Sequence, residues 1–342
     1  MSPKLISVLK FGLLLIIGVA LLAFAFRGMN VRRIIDEMLE ANLFWLLLSI
    51  FISVVALISR AYRWKLLIEP LGHKPPLKST FYSLMVGYFA NLAFPRLGEV
   101  TRCGALARAE SIPFNMLLGT VVVERAVDVI SLLICILLTA IIEFERLGNL
   151  LVRDIGNPIL GKFARLAGSP IIIIVTALIL VGALFLYRSF HNKQRTPKKS
   201  KVLEFVKGLG DGLKSIARLQ RPWSFAFHSI FIWILYFLSA YVAFFALPST
   251  SGLGLRAGLF VLVAGGLGMS APVQGGVGAY HVLVSQGLIL YGLSRQQGLA
   301  FATLVHTSTI LVIIFFGLAS LLLLFVQKRK KPRSIETSKM NA

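Results

Sequence analysis

The chain is predicted to be an all-α, polytopic integral membrane protein. Three observations carry that prediction. Of its 342 residues 57% are hydrophobic, its mean hydropathy is +0.82, and apolar runs of membrane-crossing length recur with basic residues gathered between them. Only 15% of residues are charged, well below the ~25% of soluble domains. The formal net charge of +22 would suggest nucleic acid in a soluble chain. Here the basic residues lie between apolar runs, where the positive-inside rule accounts for them. Cys103 and Cys135, the two cysteines, show no metal-site or redox-pair spacing and read as packing residues.

Runs near or above the ~18–20 residues that a spanning helix needs cover about 5–26, 43–64, 114–142, 170–187, 223–247 and 296–326, giving about six spans. The first also fits a signal peptide, with Ala23-Phe24-Ala25 as a small-x-small cleavage pattern, but its length favours a retained helix. Residues 30–41 and 147–166 read as short amphipathic helices at the outer surface. Residues 188–222 read as a basic loop held against anionic headgroups, and 327–342 as a basic tail.

Two further stretches, about 79–110 and 257–294, break an apolar run with Pro-x-x-Gly: Pro95 to Gly98 and Pro272 to Gly275. From Ser79 to Phe94 there are sixteen residues. As a helix they reach about 24 Å, short of the ~30 Å hydrocarbon core. Each stretch is therefore expected to enter the membrane and turn back as a re-entrant hairpin. For the second, a full crossing by 277–293 is the competing reading. Interrupted helices are tolerated in a bilayer only where the freed backbone faces protein or a polar cavity, so a pair of breaks points to a substrate path.

Basic residues set the orientation. With 1–10, 59–78, 96–110, 188–222 and 327–342 on the cytoplasmic side, 26 of the 36 Lys and Arg lie there, 9 lie opposite, and Arg125 falls within a span. Both termini are then cytoplasmic, in what is expected to be a bacterial inner membrane. Residues 1–326 form one membrane domain in which units 43–142 and 223–326 repeat one motif in opposite orientation, as in inverted-repeat transporters.

Ionisable residues inside a membrane are costly and need a partner or a purpose. Arg96, Glu99 and Arg102 follow the first break. On a helix starting near Gly98, Glu99 and Arg102 share a face and are expected to pair, leaving Arg96 and part of Arg102 for an anion. Helix N-terminal amides and guanidinium groups both suit phosphate oxygens. The alternative is a charged cytoplasmic turn. Glu124, Arg125 and Asp128 are spaced for an internal ion-pair cluster, serving either to lock this helix to the hairpin or to take up a coupling proton. After the second break, Gly275, Gly276 and Gly278 let backbone amides approach a ligand, with His281 one turn inside; tight helix packing is the other reading. His228 and His306 stand singly in apolar spans, suited to interhelical hydrogen bonds or to a proton relay. The sequence shows no nucleophile elbow, Walker loop, His-Glu-x-x-His or Asp-rich metal motif, so neither an enzyme nor a cofactor or metal is expected.

Four motifs taken in order resemble the flippase-like family typified by the transmembrane region of lysylphosphatidylglycerol synthases. They are Arg60-Ala-Tyr-Arg63-Trp64, Asn91-x-x-x-Pro95-Arg96-x-Gly98-Glu99-x-x-Arg102, Glu124-Arg125-x-x-Asp128 and Pro272-x-x-Gly275-Gly276-x-Gly278, and the resemblance runs from about residue 8 to 326. It implies movement of an anionic phospholipid or a lipid-linked phosphate such as a polyprenyl phosphate between leaflets. Asn91, Pro95, Arg96, Gly98, Glu99, Arg102, Gly275, Gly276, Gly278 and His281 are then the substrate-binding candidates. A homo-oligomer is compatible with it. The chain ends in a basic tail where the synthases continue into an aminoacyl-transfer domain, so lipid aminoacylation is not implied. His281 also stands where many relatives have Glu. The remaining readings are a secondary transporter of a small anion and a non-catalytic accessory protein of lipid or envelope synthesis.

Overall fold

A computed structural model describes residues 3–144 and 219–330. The predicted 170–187 span, the 147–166 helix, most of the 188–222 loop and nearly all of the basic tail lie outside the described residues. Those up to Thr139 and from Leu219 onward belong to one compact unit. Among the described residues the secondary structure is entirely helical.

The first predicted span forms as α1 (Pro3–Phe26), and the chain then bends by 86° into α2 (Val31–Leu39). Asn30 caps α2 by accepting from the Arg33 amide at 3.3 Å. The buried side chain of α2, Ile34, packs with Ala25, Leu299 and Ala300, while Val31, Ile35 and Leu39 stay exposed. That two-sided helix fits the predicted surface position.

Among the described residues four helices are long and apolar enough to cross a membrane, or five if the bent α1–α2 pair counts as one span. The four comprise α3 (Leu43–Ile68), α6 (Phe114–Ile142), α7 (Pro222–Ala243) and α10 (Arg295–Lys330). Their ends follow local chemistry. Asn42 caps α3 through the Phe44 amide at 3.0 Å, Gly72 in the left-handed region closes the turn after it, and Pro222 opens α7. Ser49 and Ser53 of α3 meet Ser239 of α7 at 3.1 and 2.7 Å, the kind of small-residue hydrogen bonding that joins helices in lipid.

Both predicted hairpins form as pairs of packed short helices. In the first, α4 (Leu77–Ala93) and α5 (Gly98–Glu110) flank the Pro95 break. Phe94 is extended, as a residue before proline must be, and Arg96 takes a φ of +67°. The two helices cross where a Cβ on Gly87 would come within 2.7 Å of the Gly98 carbonyl oxygen. In the second, α8 (Leu255–Ser270) and α9 (Ala279–Ile289) flank the break at Pro272. With eleven residues α9 reaches only about 17 Å, short of the ~30 Å hydrocarbon core.

Candidate functional site

Arg60, Arg63 and Trp64 occupy one face of α3 near its end, and all three are buried. Thr120, Glu124 and Asp128 recur every four residues on α6 and so share a face toward them. From the first hairpin, α5 contributes Arg102, 2% exposed. Glu124, fully buried, receives Arg60 at 2.9 Å, Arg102 at 3.0 Å and Arg63 at 3.7 Å. Asp128 pairs with Arg63 at 2.5 Å and with Arg60. The Arg102 guanidinium also lies 4.8 Å from the centre of the Trp64 ring, whose indole N–H donates to Thr120 Oγ1 at 2.9 Å. Arg60 reaches the Tyr236 hydroxyl on α7 at 3.2 Å, so three spanning helices and the hairpin meet in one polar cluster.

Two sequence expectations are corrected by this geometry. Glu99 does not pair with Arg102; it accepts from Arg125 at 3.2 Å, while Arg102 turns to Glu124. The i,i+3 spacing permits the local pair, but a fully buried carboxylate has no water and draws every nearby guanidinium to it. Arg125 is also within 4.0 Å of Asp128, so the predicted cluster on α6 forms in wider company. Second, Asn91 and Gly98 bond to each other: the Asn91 side-chain oxygen accepts from the Gly98 amide at 2.7 Å, capping α5 and closing the hairpin. Pro95 provides the break, and Arg96 stays exposed at the turn.

The cluster carries an excess of positive charge. Arg60, Arg63, Arg102 and Arg125 face Glu99, Glu124 and Asp128, leaving one cation over. Arg63 Nη1 and Arg102 Nε and Nη2 are buried without a hydrogen-bond partner. A small crevice of about 10 Å³ adjoins Arg102, lined by Leu84, Gly87, Tyr88, Asn91, Gly98, Glu99, Arg102 and Arg125. That is about the space one water needs, far below the ~300–1,000 Å³ of small-molecule pockets, so the crevice has to widen to admit a phosphate. A buried excess cation with open guanidinium donors favours an anion, and phosphate oxygens match that donor geometry.

The second break is built differently. Gly275, Gly276 and Gly278 all have positive φ. The Gly276 and Val277 amides are used within the turn, donating to Val273 and Gln274 at 3.3 and 3.0 Å. A Cβ on Gly278 would come within 2.7 Å of the Leu22 backbone nitrogen on α1, and one on Gly276 within 2.8 Å of Met269 Sδ. Gly276 and Gly278 thus sit at close approaches, as the packing reading of this turn expects. His281 is likewise 4% exposed and faces His306, away from open surface.

Arg60, Arg63, Trp64, Thr120, Tyr88 and Tyr236 are the members of the site that sequence reasoning passed over. Arg60 and Arg63 had a signal: two arginines three apart in an apolar helix are costly in lipid. The positive-inside count absorbed them as loop charges.

The profile of the lysylphosphatidylglycerol synthase TM region family matches residues 9–317. The chain belongs to this family. It is similar to archaeal proteins described as UPF0104 membrane proteins. The Pyrococcus horikoshii protein is 21% identical over 83% of this chain and 88% of its own length. The one from Methanothermobacter thermautotrophicus is 25% identical over 79% and 82%. A third, from Methanocaldococcus jannaschii, is 29% identical over 36% of this chain, and the match spans 38% of that relative's length. No solved structure matches. The family and the apolar helices together make this a multi-pass membrane protein with a membrane-lipid context.

Proposed function

We propose that the protein is a transporter, not an enzyme, that moves an anionic phospholipid or lipid-linked phosphate between leaflets of a cytoplasmic membrane, with both termini cytoplasmic. One observation carries the reading: a buried ion-pair cluster with one excess cation and unpartnered guanidinium atoms, set beside a small crevice lined by Arg102 and Arg125. Arg102 and Arg125 draw the phosphate toward the crevice, and Glu99 orients Arg125. Arg96 at the exposed turn provides first capture. Around it Phe94, Leu97 and Val100 are exposed apolar residues, so the charged entrance borders a surface compatible with acyl chains. That favours a lipid over a water-soluble anion, which would call for a polar approach. The two hairpin units rock as inverted repeats while the acyl chains remain in the bilayer.

The test is reconstitution into vesicles of phosphatidylethanolamine and phosphatidylglycerol carrying a fluorescent phosphatidylglycerol, followed by dithionite quenching of the outer leaflet. Faster loss of protected fluorescence than in protein-free vesicles is expected, with Arg125→Ala slower than wild type. No acceleration across a panel of anionic phospholipids and polyprenyl phosphates overturns the reading.

A further inference from the structure

A second group of buried titratable side chains lies at the second hairpin's break. His306 of α10 lies 2.9 Å through Nε2 from the Gly275 carbonyl oxygen. A carbonyl only accepts, so Nε2 carries the proton and Nδ1 keeps a lone pair. His281 of α9 stands edge to face against it, ring centres 4.7 Å apart, and its Nδ1 is buried without a partner. A buried imidazole nitrogen left unpaired is costly.

Neither α9 nor the described part of α1 from Gly12 to Phe26 contains a charged residue. On α4, α8 and α10 charges occur only toward the ends, at Lys78, Arg256, Arg295 and beyond Val326. Of the other helices packed against α10, α2 carries Arg32, Arg33, Asp36 and Glu37, α3 carries Arg60, Arg63 and Lys65, and α5 carries Glu99, Arg102, Arg108 and Glu110. Tyr280 is the titratable neighbour, its ring centre 5.1 Å from that of His306; Tyr82 and Tyr88 are the others on α4. Tyr280 keeps its proton throughout the range in which an imidazole titrates.

We propose that His281 and His306 form a one-proton site that couples proton binding to the Gly275 turn and, through it, to the anion crevice of the first hairpin. The proton adds to a ring nitrogen lone pair; like-charge repulsion at this separation opposes a second. Charge on His306 strengthens its hydrogen bond to the Gly275 carbonyl and fixes that turn. Gly275 packs against Leu92 of α4, close enough that a Cβ would lie 2.9 Å from Leu92 Cδ2. Leu92 adjoins Asn91, the residue that closes the first hairpin on Gly98. The two breaks therefore touch, and a shift at one is felt at the other. As a drive for transport this rests on the transporter reading; as a proton site it does not.

The deciding experiment has two arms. Protein labelled with ¹⁵N-histidine, in nanodiscs, is titrated by NMR between roughly pH 4 and 8. Among the five histidines, the two resonances lost in His281→Gln and His306→Gln should shift together in one step. If neither shifts, or each titrates alone in the variant lacking the other as it does in wild type, there is no shared proton site. The second arm compares fluorescent phosphatidylglycerol movement with and without a pH gradient in wild type and His306→Gln, whose side chain keeps an N–H donor for Gly275. Stimulation by the gradient in wild type and its loss in the variant is expected. Lipid movement that ignores the gradient in wild type removes the coupling, whereas no lipid movement at all removes the transporter reading and leaves the NMR result standing.

Discussion

Replacing Glu124 by Gln tests the cluster at its centre. The carboxylate is fully buried and faces three guanidinium groups, at 2.9, 3.0 and 3.7 Å. Neutralising it leaves Asp128 and Glu99 against four arginines, raising the excess from one cation to two, and points an amide N–H₂ toward groups that can only donate. Removing one partner of a buried pair costs about 3–5 kcal/mol. At about 1.4 °C per kcal/mol for a chain of this length, the unfolding midpoint should fall by roughly 4–7 °C. The assay is thermal unfolding of purified protein in detergent, with Arg102→Leu and the double variant measured beside it. Removing both charges restores the balance, so the double variant should lose about 0.5–3 kcal/mol less than the summed single losses. Added inorganic phosphate should protect Glu124→Gln more than wild type, since the extra cation is then partly neutralised. Additive single losses with no differential protection by phosphate would refute the argument that this cluster is one electrostatic unit.

Three other outcomes follow from the first hairpin. Gly98→Ala places a methyl group against the Gly87 carbonyl and the Asn91 side chain; about 1–3 kcal/mol of destabilisation is expected from overpacking, read as a lower unfolding midpoint. Asn91→Ala removes the cap on the Gly98 amide and should cost about 1 kcal/mol, with Asn91→Asp closer to wild type because a carboxylate oxygen still accepts. Arg96→Ala, at an exposed turn, should leave the unfolding midpoint within about 0.5 kcal/mol of wild type while slowing lipid movement in the vesicle assay.

The fold was legible where the signal lay within one segment. Apolar run length predicted α3, α6, α7 and α10, and the Pro-x-x-Gly breaks predicted both hairpins, because proline and the residue before it have few conformations open to them. The site was legible only as a set of candidates. Glu99 and Arg102 satisfy the helical pairing rule, yet their partners come from α6, and no spacing within α5 records how close another helix lies. The same blindness hid Arg60 and Arg63: at the end of an apolar run, an arginine reaching water and one turned into the protein read alike. The glycines of the second break were ambiguous for a related reason. A positive φ calls for glycine whether the neighbouring atom belongs to a ligand or, as at Gly278, to the backbone of α1.

The contrast between the two breaks bears on direction. The first hairpin gathers fixed charge that only a change of partner can rearrange, since guanidinium groups keep their protons at any physiological pH. On the transporter reading a phosphate entering there must be released again, so the site has to be weakened at some point in the cycle. The other hairpin carries fixed charge only at Arg256, near the start of α8; at its break stand two imidazoles able to gain and lose a proton, His281 and, from α10, His306. Contact between Gly275 and Leu92 places that variable charge within a few residues of the Asn91–Gly98 closure. Opening that closure would admit water to Arg102 and loosen the phosphate by restoring a high dielectric around it. A disulfide joining α4 to α5 across the break would test this order of events. Cross-linked protein should still bind labelled anionic lipid but fail to release it to the opposite leaflet, whereas undiminished transport would show that the first hairpin stays shut throughout.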